Sequence, residues 1–139
     1  MNIFQDNQNY FRDSYYATRQ DNEINLFDPQ EAFMLGNLFK NLYMSYKGFS
    51  NYCLQPMNQR QKALLEVQIN EFAAHEINLY LDMHPNNQEM INLYHHYIQK
   101  AKKAKKDFEK QYGPLMVQDS TETNRFEWIK SPWPWEYQI

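Results

Sequence analysis

The sequence predicts an all-α fold: a long antiparallel helical hairpin with a shorter N-terminal helix and irregular, aromatic-rich termini. Three observations lead there. Apolar residues recur at helical spacing through two long stretches, 58–83 and 86–112. His84-Pro85 parts them by a turn too short for anything but a reversal of direction. Gly113-Pro114 then stops the second stretch with a residue suited to a left-handed cap and one unable to continue a helix.

Residues 1–27 read as an irregular polar tail dotted with Tyr10, Phe11, Tyr15 and Tyr16. No sustained period runs through it. Order is expected to begin at Asp28-Pro29-Gln30-Glu31, where Asp28 is an N-cap, Pro29 suits the first helical position and Glu31 completes a capping-box spacing. Ala32, Leu35, Leu38 or Phe39, Leu42 and Tyr46 follow at helical intervals, with Gly36 costing about 1 kcal/mol relative to Ala. Two readings stand for this stretch: one helix through residue 46, or a short helix that breaks near Gly36 and gives way to irregular chain. Gly48 to Pro56 reads as linker, which closes a segment of residues 28–56.

The helix from about Asn58 to Met83 carries two stripes. Leu65, Ile69, Phe72, Leu79 and Met83 form one; Ala63, Val67, Ala74, Ile77 and Leu81 form the other. A face this wide fits a helix packed against more than one neighbour. In the next helix Asn86 is the expected cap, with Glu89 three residues on. Met90, Tyr94, Tyr97, Ala101, Ala104, Phe108 and Tyr112 make its single stripe. Each helix should be about 38 Å long at 1.5 Å per residue. A bare hairpin cannot bury the two-striped helix, so the segment after Asp28 and the C-terminal tail are its available covers. The hairpin and tail form the third segment, residues 57–139.

That tail alternates proline with tryptophan in Ser131-Pro132-Trp133-Pro134-Trp135-Glu136. Each proline fixes its own φ and biases its predecessor towards extended backbone, so the segment leans to polyproline II or a strand. A stiff ribbon with two large amphipathic rings loses little entropy on docking. Pro132, Trp133, Pro134, Trp135, Trp128, Tyr15 and Tyr16 are therefore the candidate partner-binding residues. The tail tyrosines Tyr10, Tyr15 and Tyr16 sit where burial in this chain does not explain them, which leaves burial in a partner or oxidative cross-linking.

Composition excludes several classes. Lys and Arg number 14 against 17 Asp and Glu, so no global field favours nucleic acid or an acidic membrane. The aromatic fraction is high at 17%, and with abundant Asn and Gln it describes an adhesive polar surface. The lone Cys53 excludes an internal disulfide and a thiolate-only metal cage, and is expected to be a buried or idle thiol. Met1 to Asp6 do not resemble a signal peptide, and no apolar run approaches the roughly 20 residues of a membrane span. A soluble cytoplasmic product is expected.

Chemistry finds few footholds. Glu71 and His75 share a helix face at a separation of four, with Glu76 adjacent, and His95 could join them in a mononuclear metal site. A di-metal bundle would need two Glu-x-x-His pairs, and neither hairpin helix has one. His75, His84, His95 and His96 are better read as polar groups on solvated or hairpin-edge positions. Gly36, Gly48 and Gly113 lie too far apart for a phosphate loop. Lys100, Lys102, Lys103, Lys105, Lys106 and Lys110 straddle the inward stripe of their helix and read as a solvated face, one able to meet an acidic protein. No cofactor and no catalytic residue is expected.

The run Ile77-Asn78-Leu79-Tyr80-Leu81-Asp82-Met83-His84-Pro85, then Tyr112-Gly113-Pro114-Leu115, then Pro132-Trp133-Pro134-Trp135-Glu136, resembles the CotJB spore-coat family over about residues 60–136. Upstream, Phe27-Asp28-Pro29-Gln30-Glu31-Ala32, Gly36-Asn37-Leu38-Phe39 and Leu42-Tyr43 are similar to the companion CotJA family. Lys40 and Ser45 stand where CotJA-like sequences usually carry prolines, which favours a helix through residues 38–46. The resemblance implies a structural, non-enzymatic component of the endospore coat, laid down from the mother-cell cytoplasm. It also implies other coat proteins as partners, among them a manganese-catalase-like CotJC protein. Two further readings stay open: an adaptor that tethers that catalase, and a helical metal-binding protein. Self-association is also open.

Overall fold

Two antiparallel helices and an N-terminal hook that wraps one flank of the helix pair make up the computed structural model, which describes residues 24–45, 47–48, 53–130 and 133–136. The helices are α1 (Pro29–Leu35), α2 (Gln59–Met83) and α3 (Gln88–Tyr112). Short 3-10 turns follow at Lys40–Leu42, Val117–Asp119, Glu127–Ile129 and Pro134–Glu136. Among the described residues there is no strand, only an isolated antiparallel bridge between Leu26 and Phe39.

Local capping chemistry sets the helix ends. The Asn58 side chain accepts from the Gln61 amide at 2.9 Å, while the Gln61 side chain takes the Met57 amide at 2.7 Å, so two otherwise orphaned donors are satisfied where α2 begins. His84-Pro85 ends it as expected. Asn87, not Asn86, caps α3: its side chain accepts from the Met90 amide at 3.1 Å. The reversal itself explains the shift. The Asn87 amide closes a turn onto the His84 carbonyl at 3.1 Å, which places Asn86 inside the turn and moves the cap one residue on. Gly113 ends α3 at φ 95°, with its amide on the Glu109 carbonyl at 3.0 Å.

The two stripes of α2 separate in the fold. Val67, Ala74 and Ile77 are buried, as are Ala73 and Asn70 between them. Asn70 is satisfied by its own helix, donating to the Glu66 carbonyl at 2.8 Å. Opposite them, α3 buries Met90, Ala101 and Phe108 from its expected stripe, with Tyr94, Tyr97, Ala104 and Tyr112 half-buried. The second α2 stripe fares unevenly. Leu65, Ile69 and Phe72 are half-buried, whereas Leu79 is 49% exposed and Met83 64%.

Phe72 is covered by α1, whose Phe33 ring meets it edge-on at 5.7 Å. Here the continuous helix through residue 46 gives way to the short one. Asp28 caps α1 through the Gln30 amide at 3.0 Å, and Gly36 ends it in the left-handed region at φ 73°. The chain then doubles back. The Phe27 amide donates to the Leu38 carbonyl and the Lys40 amide to the Asn25 carbonyl, both at 2.9 Å. The Leu38 amide reaches the Glu76 carboxylate at 3.2 Å. Leu38 and Phe39 are thereby buried beside Ile77 and Met90 rather than strung along a helix. Only Lys40–Leu42 makes a helical turn in the stretch 38–45, and Tyr46 lies outside the described residues. Ile24, Leu26 and Phe27 pack on the same cluster, so ordered chain begins ahead of Asp28.

At the hairpin turn the Phe39 ring stacks on Tyr80 at 5.0 Å and Tyr80 on His84 at 4.1 Å. His84 is thus a hairpin-edge residue tied to an aromatic column, while His75, His95 and His96 are exposed. Ile77→Ala should remove about 2–5 kcal/mol of stability, because the side chain leaves a cavity between hook and hairpin. Leu79→Gln, two residues away on the exposed face, should change stability by less than about 0.5 kcal/mol. Urea unfolding of the two variants measures the contrast directly.

Candidate functional site

Two features stand out once the core is accounted for: the C-terminal aromatic segment and the grooves along the hairpin seam. The tail is joined to the hairpin by carboxylates. Glu109 takes the Leu115 amide at 3.2 Å, and Lys105 bonds Asp119 at 2.7 Å with Glu109 at 3.8 Å. Hydrogen bonding to Asp119 raises the Lys105 ammonium above its ordinary value, against an opposing effect of desolvation, with attraction from Asp119, Glu109 and Glu71 added. Beyond this tether, Lys130 reaches Glu122 at 3.0 Å and encloses a loop that contains the Glu127–Ile129 turn.

The last described residues are not an extended ribbon. Trp133 to Glu136 fold into a 3-10 turn in which the Glu136 amide donates to the Trp133 carbonyl at 2.9 Å and the Glu136 carboxylate accepts from the Trp133 amide at 2.8 Å. The φ that proline imposes serves a helical first turn as well as polyproline II. Pro134 therefore opens the turn, and Glu136 decides between the two by capturing the free amide. Trp133 and Trp135 consequently stack on each other, centroids 5.1 Å apart and planes 7° apart.

That stack is presented rather than stored. Trp135 is 76% exposed, and Phe126, Trp128 and Ile129 are exposed beside it in sequence. Of the other residues singled out from the sequence, Pro132, Tyr15 and Tyr16 lie outside the described residues, with Tyr10.

One flank of the seam carries a groove of about 440 Å³, lined by Glu71, Ala74, His75 and Asn78 of α2 and by Tyr94, Ile98, Ala101, Lys102 and Lys105 of α3. The opposite flank has one of about 400 Å³ near Asn70, Lys103 and Phe108. Glu71 and His75 do share the first groove, but His95 does not line it. Among the described residues no three of His, Cys, Asp and Glu come together to hold a metal ion. Cys53 is exposed rather than buried. Lys102, Lys103, Lys106 and Lys110 form the solvated back of α3, whereas Lys100 lies 5.7 Å over the Tyr97 ring. No helix among the described residues is long and apolar enough to cross a membrane.

The segment that contains the seam, both grooves and the tryptophan turn is also the one matched by a family model, described as CotJB protein, over residues 61–136. The chain belongs to the CotJB family. Membership makes it a spore-coat-related protein, and the matched span comprises nearly all of α2, all of α3 and the tail to Glu136. The upstream hook lies outside that span, so its likeness to CotJA remains a resemblance of sequence. No curated protein and no solved structure matches this CotJB-family chain.

Sequence reasoning missed the carboxylates that anchor irregular chain: Glu76, Glu109, Asp119 and Glu136. Only the spacing of Glu136 from Trp133, three residues as in a capping box, offered a signal. Tyr97 adds a pH dependence of its own. Burial, and secondarily the Asp28 carboxylate, raise its phenol above the usual 10.0. A group with a raised folded value stabilises fully below its unfolded value and stops doing so as pH rises through the folded one. Tyr97 and Lys105 share that sign. Melting temperature should therefore hold to about pH 9.5 and fall above pH 10, with Tyr97→Phe flattening the fall. Asp119→Asn should cost no more than about 1 kcal/mol at neutral pH, and less at high salt. Thermal melts across pH 7–11 and two salt concentrations resolve both effects.

Proposed function

We propose that this protein is a non-enzymatic assembly component of the endospore coat, synthesised in the mother-cell cytoplasm and held in the coat through contacts made by its C-terminal aromatic turn. The observation that carries the reading is Trp135, 76% exposed on a turn fixed by a proline, a carboxylate and a second indole. A side chain of this size can bury 150–250 Å² when a partner covers it. Tryptophan is also the residue type most enriched where truncation costs binding most. The turn is already ordered, so docking it forfeits little chain entropy.

A second reading, an adaptor that tethers a manganese-catalase-like coat protein, draws support from the exposed lysines on the back of α3. Lys102, Lys103, Lys106 and Lys110 present a cationic face suited to an acidic partner. Co-purification of the catalase with the chain, and its loss on reversing those four charges, would favour the adaptor over self-contained assembly.

Ending the chain before Pro132 tests the main reading. Stability of the purified hairpin should change by less than about 1 kcal/mol, since Trp135 is 76% exposed and the half-buried Trp133 stacks on it. Incorporation into the coat, read by extraction of coat protein from spores made by the truncated strain, should be lost. Normal incorporation of the truncated chain would dismiss the role given to the turn.

A further inference from the structure

We propose that the tryptophan turn of one copy seats in the α2–α3 groove of a second copy, so that each molecule both donates a turn and receives one. The inference rests on the assembly reading above and names its partner. The receiving groove is open, and the buried Ala74 and Ala101, small residues of the two helices, line it where larger side chains would fill the space. Tyr94 and Ile98 supply apolar wall. Its volume of about 440 Å³ falls in the range of roughly 300–1,000 Å³ typical of sites that take compact ring systems.

The donor matches it in shape and charge. Trp133 and Trp135 are stacked into a single slab of two parallel rings, with the outer ring open to contact. Lys102 stands exposed at the groove rim, placed to lie over an indole face and to meet the Glu136 carboxylate beside it. The same chain already uses this contact on its other flank, where Lys100 sits 5.7 Å over Tyr97.

A second copy is favoured over the chain's own tail by the way the tail is held. The Lys105–Asp119 pair fastens it beside the groove, and the Lys130–Glu122 pair closes the intervening stretch into a loop of its own. Among the described residues, none of the turn lines the groove. Donor and acceptor are different surfaces of one chain, so the contact is head-to-tail. Successive copies add to a row, which ends only where the rotation between copies closes it into a ring.

Two variants of the full chain test this. Trp133→Ala/Trp135→Ala removes the donor and keeps the groove. His75→Glu/Asn78→Glu keeps the donor and lines the groove with carboxylates, which repel the negative faces of indole; both positions are exposed. Far-UV circular dichroism establishes that each variant is folded. In sedimentation velocity the wild type should grow past the dimer as concentration rises, and each variant alone should remain at the 17.0 kDa of one chain. An equimolar mixture of the two should give one new species of twice that mass and nothing larger. A monomeric wild type, or variants that still assemble separately, would overturn the proposal. So would indole fluorescence already buried at every concentration, the sign of the chain's own tail in its own groove. Should the wild type stay monomeric yet still enter the coat through its turn, the assembly reading stands and only the second-copy partner is wrong.

Discussion

Helix α2 carries apolar residues on two sides, and a single partner helix can cover only one of them. The rest of the fold answers that constraint. Helix α3 takes the side bearing Val67, Ala74 and Ile77, with Met90, Ala101 and Phe108 set against it. The side bearing Phe72 is left to the N-terminal hook, which brings Phe33 over it and drives Leu38 and Phe39 in beside Ile77. Ile77 is central because hook and hairpin meet there; a solvated residue such as Leu79 holds nothing together. Hydrophobic burial supplies the attraction, but Glu76 supplies the register, since its carboxylate accepts the Leu38 amide that the turn after Gly36 would otherwise leave unpaired.

What could be read in the sequence follows the range of the interaction. The hairpin helices were legible almost to the residue, because their limits are decided by neighbours: Asn58 with Gln61, His84 with Pro85, Gly113 with Pro114. The cap of α3 slipped from Asn86 to Asn87 for an equally local reason, a turn that consumed one asparagine more than the capping spacing implied. The hook was legible only as two competing readings. Helical spacing continues through Leu42, and what overrides it is a residue 38 positions further on, Glu76, together with a bridge that pairs Leu26 with Phe39. Nothing in a local window weighs a contact of that separation.

The candidate site divides in the same way. The tryptophans stood out by composition, and their exposure bears on how they act. Their geometry did not stand out, because proline fixes φ and leaves ψ to be settled by whatever hydrogen bond is within reach. Glu136 settles it three residues from Trp133, and alternation along a ribbon becomes a stack of two rings. The grooves were invisible in sequence, since alanine on an inward stripe reads as ordinary core. Ala74 and Ala101 are core, but their small size sets the two helices' larger residues back and leaves concavity along the flank.

The hook seals one flank of the helix pair near its turn, and this asymmetry is what the assembly proposed above would exploit. Around Phe39, Tyr80 and Met90 apolar surface is sealed by the chain's own residues. Away from the hook the seam keeps open grooves, one running from Asn78 and Tyr94 to Lys105 and one near Asn70 and Phe108, beside a tail that is fastened to Lys105 and Glu109 but folds on itself. A chain that acted alone would gain by folding Trp135 onto such surface, since every Å² of apolar area withdrawn from water contributes about 25 cal/mol. In the assembly proposed above, leaving both the ring and the groove uncovered forgoes that gain within one molecule and keeps it for contact between molecules, at the high local concentrations of a forming layer. Under that proposal the division of labour is spatial: the surface beneath the hook is finished by intramolecular packing, and the open groove is left to be completed by a neighbour.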